Sequence, residues 1–354
     1  MNPIYIDLRN NQNLNLIEAV NALKQGNLVI FPTETVYGIG ADGLNEKAVS
    51  KIFEAKGRKQ DNPLILHVSD REMIDKIARD ISPVEEKLIK AFMPGPFTLI
   101  LKKKECVPSC VTGGNDTVGV RMPSEKIANR LIREFGSPVA APSANLSGRP
   151  SGTLVEDIDS DLKEKVAVLI DGGQSKIGLE STVVKVINDI PTILRPGKVT
   201  LEEIREICGK GEIDSHILNK MQSKEEKVES PGMKYRHYAP KTKCKMIYSS
   251  NRTKMIEEIK NEIRKAKKEE KRVIVFSLEE DLEEYKKENP DYLFNMGKGS
   301  CLEEVSNRIF SLLRKVDKCD ADIVFIEGVS KEGVGLAIMN RLIRACEYDY
   351  IEIK

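Results

Sequence analysis

The chain has 354 residues, of which 40% are apolar and 31% charged, with a net charge of +1. That length exceeds a comfortable single core, so two domains are expected, and no apolar run reaches the ~20 residues a membrane span needs. Near-neutral charge, 5% aromatic residues and no Trp argue against binding nucleic acid through bulk charge and base stacking.

The opening Met1-Asn2-Pro3-Ile4 lacks the basic stretch and long apolar run of a secretory leader, which predicts a cytoplasmic location. A strand at 4–8 is followed by a helix at 16–24, stopped by Gly26. A strand at 28–31 runs into Pro32. Gly38-Ile39-Gly40-Ala41-Asp42-Gly43 has the spacing of a dinucleotide loop, but the predicted strand does not end directly before it, so a flexible loop is expected. A helix at 46–53 precedes a break at Gly57. A strand at 64–68 leads to Ser69 and Asp70, either of which can cap the next helix. A helix at 84–92 ends at Met93-Pro94-Gly95-Pro96. Strands follow at 97–101, 117–121, 139–141, 166–170, 182–186 and 192–194, with helices at 125–135 and 201–207.

Residues 209–227 are polar and lack periodicity, as in an inter-domain linker. Beyond them strands at 245–248, 273–276, 292–295 and 323–327 alternate with helices at 253–266, 278–287, 302–316 and 336–346. The Lys- and Glu-rich run 256–271 reads as a solvated helix face with i,i+4 pairs. The fold class is α/β: a twisted mixed sheet with helices, then a smaller Rossmann-like parallel α/β domain. The predicted division is 1–208, a linker at 209–243, and 244–354.

Seven cysteines at 106, 110, 208, 244, 301, 319 and 346 include no Cys-x-x-Cys pair, so neither a disulfide framework nor a zinc site is expected. No Gly-x-Ser-x-Gly nucleophile motif is present. Two strings are rich in anion-binding residues: Lys56-Gly57-Arg58 and Ser143-Ala144-Asn145. Two cations on one turn can clamp a polyphosphate. Alone, Lys56-Gly57-Arg58 reads as an exposed turn. Ser143 and Asn145 follow the small residues Ala140-Ala141-Pro142, which let a ligand approach the backbone.

Together with Pro94-Gly95-Pro96-Phe97-Thr98, Val120-Arg121-Met122-Pro123, Gly178-Leu179-Glu180-Ser181-Thr182-Val183 and Leu194-Arg195-Pro196-Gly197, in this order, these strings resemble the YrdC family over residues 10–208. Ser230-Pro231-Gly232-Met233-Lys234-Tyr235-Arg236-His237-Tyr238-Ala239-Pro240 is similar to the linker of its long members, which add a Sua-type domain. Those members are threonylcarbamoyl-AMP synthases. The resemblance implies a nucleotidyltransferase that joins L-threonine, bicarbonate and ATP into threonylcarbamoyl-adenylate and pyrophosphate. The product would go to a separate tRNA threonylcarbamoyl transferase, which modifies the adenosine next to the anticodon.

The same resemblance assigns Lys56, Arg58, Ser143 and Asn145 as catalytic residues that also bind ATP, joined there by Thr117, Ser151, Arg195 and Tyr235. It assigns Thr33, His67, Arg121, Ala141 and Ser181 to L-threonine. Magnesium is expected with ATP, with no protein metal site. The linker is expected to close over the cavity through Tyr235, Arg236 and His237 and to shield a labile mixed anhydride. No membrane contact is expected, and direct tRNA binding is left open. Two other readings remain at this point: an RNA-binding module, and a carbamoyltransferase-type maturation factor of the hydrogenase kind.

Overall fold

A computed structural model of the chain describes residues 3–9, 15–217 and 238–354. They fall into two compact units, the second made up of residues 148–150 and, among the described residues, of the chain from Tyr238 onward.

The first unit runs β1 (Ile4–Asp7), α1 (Ile17–Lys24), β2 (Val29–Phe31), β3 (Gly38–Asp42), α2 (Glu46–Lys56), β4 (Ile65–His67), α3 (Arg71–Ile77), β5 (Ala78–Arg79), α4 (Pro83–Phe92) and β6 (Phe97–Lys103). It continues α5 (Ser109–Thr112), β7 (Thr117–Arg121), α6 (Lys126–Phe135), β8 (Val139–Ala140), α7 (Ser160–Lys163), β9 (Val168–Asp171), β10 (Thr182–Ile187), β11 (Ile190–Arg195), α8 (Leu201–Cys208) and β12 (Glu212–Ile213). Its sheet is mixed, in the order β1-β9-β2-β3-β8-β4-β7-β6-β10-β11-β12, with β5 on β6.

Local chemistry accounts for the helix ends. The Asn45 side chain accepts from the backbone N–H groups of Lys47 and Ala48 to start α2, and Gly57, at φ 60°, closes it in the left-handed region. Asp70 caps α3 through Met73 N–H, and Ser82 with Glu85 forms a capping box on α4.

Two sequence expectations are corrected here. Gly38–Asp42 is a strand rather than a flexible loop: it pairs antiparallel with β2 and with β8. Its glycines are there for packing, since a Cβ on Gly40 would sit 2.7 Å from both Phe31 and Val139. The polar segment read as the start of a linker contributes β12, which pairs parallel with β11 through Thr192 and Ile193.

The second unit contains β13 (Lys243–Ser249), α9 (Arg252–Lys268), β14 (Val273–Ser277), α10 (Leu282–Lys286), β15 (Tyr292–Asn295), α11 (Leu302–Val316), β16 (Ile323–Glu327), α12 (Val334–Ala345) and β17 (Tyr350–Ile353). All pairings in its sheet are parallel, in the order β15-β14-β16-β13-β17. The predicted helix at 278–287 is divided, a 3-10 turn at Glu279–Asp281 leading into α10. The charges on α9 pair mainly across to its neighbours, as in Lys260–Glu284, Arg264–Glu288 and Lys267–Asp291, rather than along the helix.

Tyr238, where the described chain resumes, stacks on Phe310 with ring centroids 5.2 Å apart and lies under the Arg341 guanidinium. At the carboxyl end of β16 Glu327 is fully buried; it accepts from Leu278 N–H at 2.9 Å, while Arg252 grips the nearby Asp281. Burial, reinforced by the Asp281 carboxylate, pushes the Glu327 carboxyl well above the usual range.

Gly40→Ala is expected to destabilise the first unit by about 1–3 kcal/mol through overpacking. A thermal melt unchanged from wild type would show that Phe31 and Val139 yield freely.

Candidate active site on the face of the first sheet

Strand register places the candidate residues. Residues directly opposite one another in a sheet share a face, and every second residue along a strand returns to it. Arg121 of β7 stands opposite His67 of β4 and Thr98 of β6. Gly119 stands opposite Ile65 and Ile100, and Thr117 opposite Lys102. Ala41 pairs with Ala140 and Gly38 with Ser143, which puts Gly38, Gly40, Ala141 and Ser143 on alternate positions of the same face. The result is a face on which the small residues Gly38, Gly40, Gly119 and Ala141 stand among the larger Ile65, Ile100 and Val139. Thr117 and Arg121 mark two of its ends, ~13 Å apart at the usual rise per residue.

At one end Arg121 is buried and ion-paired with buried Glu34, Nη2 to Oε1 at 2.7 Å. The same Nη2 lies 3.4 Å from Thr33 Oγ1, whose hydroxyl donates to the Val36 carbonyl at 2.6 Å. Arg121 Nε–H has no hydrogen-bond partner among the described residues. His67 is buried beside it, with Nδ1 3.3 Å from the Ile65 carbonyl. Burial, with the Arg121 charge added, lowers its pKa to about 3, so it is a neutral imidazole at pH 7. Ser181 Oγ lies 2.7 Å from Thr98 Oγ1, and Arg195 donates to the Ser181 carbonyl through Nε and Nη2 at 3.1 and 2.9 Å. Ser151 donates to the carboxylate of Glu180, the residue before Ser181, at 2.6 Å.

At the other end the structure revises the reading of Lys56. It is the last residue of α2, not an exposed turn position, and only 3% of it is accessible. Its ammonium donates to the backbone carbonyls of Ser143 and Asn145, each at 2.5 Å, across 87 and 89 residues of sequence. The Lys56 carbonyl accepts from Ser147 N–H in return. Lys56 therefore shapes the Ser143–Asn145 turn, inside which Ser143 Oγ donates to Asn145 Oδ1. Arg58, half-buried, donates to the carbonyls of Asn62 and Pro63 at 3.3 and 2.9 Å. Tyr235, Arg236 and His237 lie outside the described residues.

The model described as Telomere recombination matches residues 21–197, and that of the C-terminal domain of threonylcarbamoyl-AMP synthase matches residues 199–346. Threonylcarbamoyl-AMP synthase of Pyrococcus abyssi is 43% identical over 335 residues, covering 95% of both chains. The chain belongs to the threonylcarbamoyl-AMP synthase family. The Bacillus subtilis synthase is 41% identical over 331 residues, 93% of this chain and 92% of its own. The crystal structure of P. abyssi Sua5 complexed with L-threonine superposes with a TM-score of 0.90 at 41% identity, covering 99% of this chain and 100% of that one.

In this member of the threonylcarbamoyl-AMP synthase family, the register unites Thr117, His67, Arg121, Ala141 and Ser143, and side-chain bonds add Thr33, Ser181, Arg195 and Ser151. Sequence reasoning missed Glu34, Thr98 and Glu180. Thr98 and Glu180 stood inside quoted motifs and Glu34 directly follows Thr33; for the two acids, a carboxylate beside residues meant for anions was the available signal.

Two outcomes follow. His67 in the unfolded chain titrates near 6.5 and in the folded chain near 3. Between those values the unfolded state holds the extra proton, so this contribution is complete above pH 6.5 and is lost as pH falls. The loss by pH 3 is on the order of a few kcal/mol. Urea midpoints at neutral and acidic pH should show His67→Gln losing less stability than wild type; equal losses would contradict a buried neutral His67. Lys56→Met keeps much of the apolar stem but removes the ammonium, and should lower stability by about 1.5–3 kcal/mol along with ATP affinity. A variant with an unaltered melt and unaltered ATP binding would contradict that role.

Proposed function

We propose that the chain is an L-threonylcarbamoyladenylate synthase, a nucleotidyltransferase acting on L-threonine, bicarbonate and ATP. The observation that carries the reading is Arg121: a buried guanidinium at a strand end, between Thr33 and His67, with an N–H still to be satisfied. Such a group is suited to a small carboxylate.

Bicarbonate converts the threonine amine to a carbamate, with loss of water. A carbamate oxygen then attacks the α-phosphorus of ATP, and pyrophosphate leaves. The protein's share is to gather anions and hold them in line, not to form a covalent intermediate. Arg121 holds the amino-acid carboxylate. Thr33 and Ser181 supply hydroxyls for the substrate, and Ala141 leaves it room. His67, being neutral, serves as a hydrogen-bonding wall rather than a charge. Arg58, Thr117, Ser143, Asn145, Ser151 and Arg195 line the path for ATP, with Lys56 setting the shape of the Ser143–Asn145 turn. Tyr235 is assigned to ATP as part of this proposal.

Among the described residues no group of three or more His, Cys, Asp or Glu side chains converges as a metal cage. Magnesium would enter with the triphosphate and supply charge neutralisation there. No helix among the described residues is long and apolar enough to cross a membrane. The product, a mixed anhydride, calls for prompt transfer, by a separate enzyme acting on tRNA in the cytoplasm.

Pyrophosphate release from ATP should require both L-threonine and bicarbonate, with valine a poor substitute because it leaves buried hydroxyl partners unpaired. Arg58→Ala should slow turnover about 100- to 1000-fold through lost transition-state charge stabilisation. Turnover without bicarbonate, equal use of valine, or near-normal activity of Arg58→Ala would each count against the assignment.

A further inference from the structure

The Arg121–Glu34 pair holds two opposite charges 2.7 Å apart, and both side chains are about 5% exposed. A buried pair of this kind is a poor device for stability alone, because desolvating both ions offsets much of their attraction. We propose that Glu34 and Arg121 together form a two-ended clamp for an α-amino-acid zwitterion, Arg121 taking the carboxylate and Glu34 the ammonium. The proposal rests on the threonine reading above and adds a specificity-determining residue to it.

Neither end of the pair is used up. A carboxylate offers about four acceptor positions. Glu34 is seen to use two, for Arg121 Nη2 at 2.7 Å and for Glu125 N–H at 3.3 Å. Arg121 donates through Nη2 to Glu34 and Thr33, while its Nε–H has no partner among the described residues. The remaining capacity is therefore acceptor positions on Glu34 and a buried N–H donor on Arg121, the two side chains being joined through Nη2. An α-amino acid carries its ammonium and carboxylate on one carbon, so it presents the matching opposite pair at a similar separation.

The immediate surroundings hold the pair in place. His67 is neutral and adds no competing cation. Thr33 is fixed by bonds to Thr35 and to the Val36 carbonyl. The Glu34 backbone is pinned in turn, its carbonyl accepting from Ile177 N–H. A site with a buried acid awaiting an ammonium should discriminate against a hydroxy acid of the same shape, because that ligand leaves the acid uncompensated.

The test compares L-threonine with (R)-3-hydroxybutanoate, the same molecule without its amine, by ligand-observed NMR titration of the full chain. In Glu34→Gln, L-threonine affinity should fall about 30-fold or more, as expected on removing one partner of a desolvated charge pair. Affinity for (R)-3-hydroxybutanoate should stay within about threefold of wild type, since no ammonium is involved. A parallel loss for both ligands would reduce Glu34 to a support for Arg121, and no loss for either would remove it from recognition; both overturn the clamp. If Glu34→Gln does not fold, Glu34→Asp, which keeps the charge but withdraws it by one methylene, is measured with the same pair and judged by the same selective or parallel pattern. Threonine- and bicarbonate-dependent pyrophosphate release by wild type from the same preparation separates the two levels. Its absence rejects the synthase reading; its presence with a parallel loss rejects the clamp alone.

Discussion

Five neighbouring strands, β3, β8, β4, β7 and β6, keep a register in which every second residue lies on one face. The site depends on that pleat. It lines up His67, Arg121 and Thr98 across three strands, and it puts Gly38, Gly40, Gly119 and Ala141 where larger side chains would fill that face. A slip of one residue in any of these pairings would send the polar set into the opposite face. Glycine at position 119 is one such case: a Cβ there would lie 3.3 Å from Ile65 and 3.4 Å from Ile100 and Thr98.

Charge is spent sparingly in this frame. Lys56 and Arg121, two buried cations, both hold protein groups. Lys56 is tied to main-chain carbonyls and Arg121 to a carboxylate and a hydroxyl. Preorganised donors of this kind need little rearrangement when an anion arrives. The half-buried Arg58 is placed differently, on a short loop after α2, where it is more open to a mobile polyanion.

Much of this was legible in the chain itself. Short apolar runs such as Phe97-Thr98-Leu99-Ile100-Leu101 and the Asp70 and Gly57 punctuation marked elements that the structure contains. What escaped reading was tertiary. Gly38–Asp42 has few strand-forming side chains and becomes a strand because β2 and β8 flank it on both edges. Lys56 looked like a surface residue because its partners are backbone carbonyls, which no residue alphabet reveals. Glu34 was passed over because acids are not expected in a pocket for anions, and only its pairing with Arg121 gives it meaning. The short edge strand Tyr350–Ile353, laid parallel on β13, followed a predicted terminal helix and carried no turn signal strong enough to announce it.

The buried carboxyl of Glu327 gives the second unit a proton account opposite in sign to that of the first. Its unfolded form is ionised above its ordinary value of 4.5, whereas the folded form keeps the proton well above it. Folding of the second unit therefore takes up protons at Glu327 as the pH rises past that ordinary value, while folding of the first releases them at His67 below pH 6.5. Linkage at the two groups runs in opposite directions: acidification favours the second unit's fold through Glu327 and disfavours the first unit's through His67.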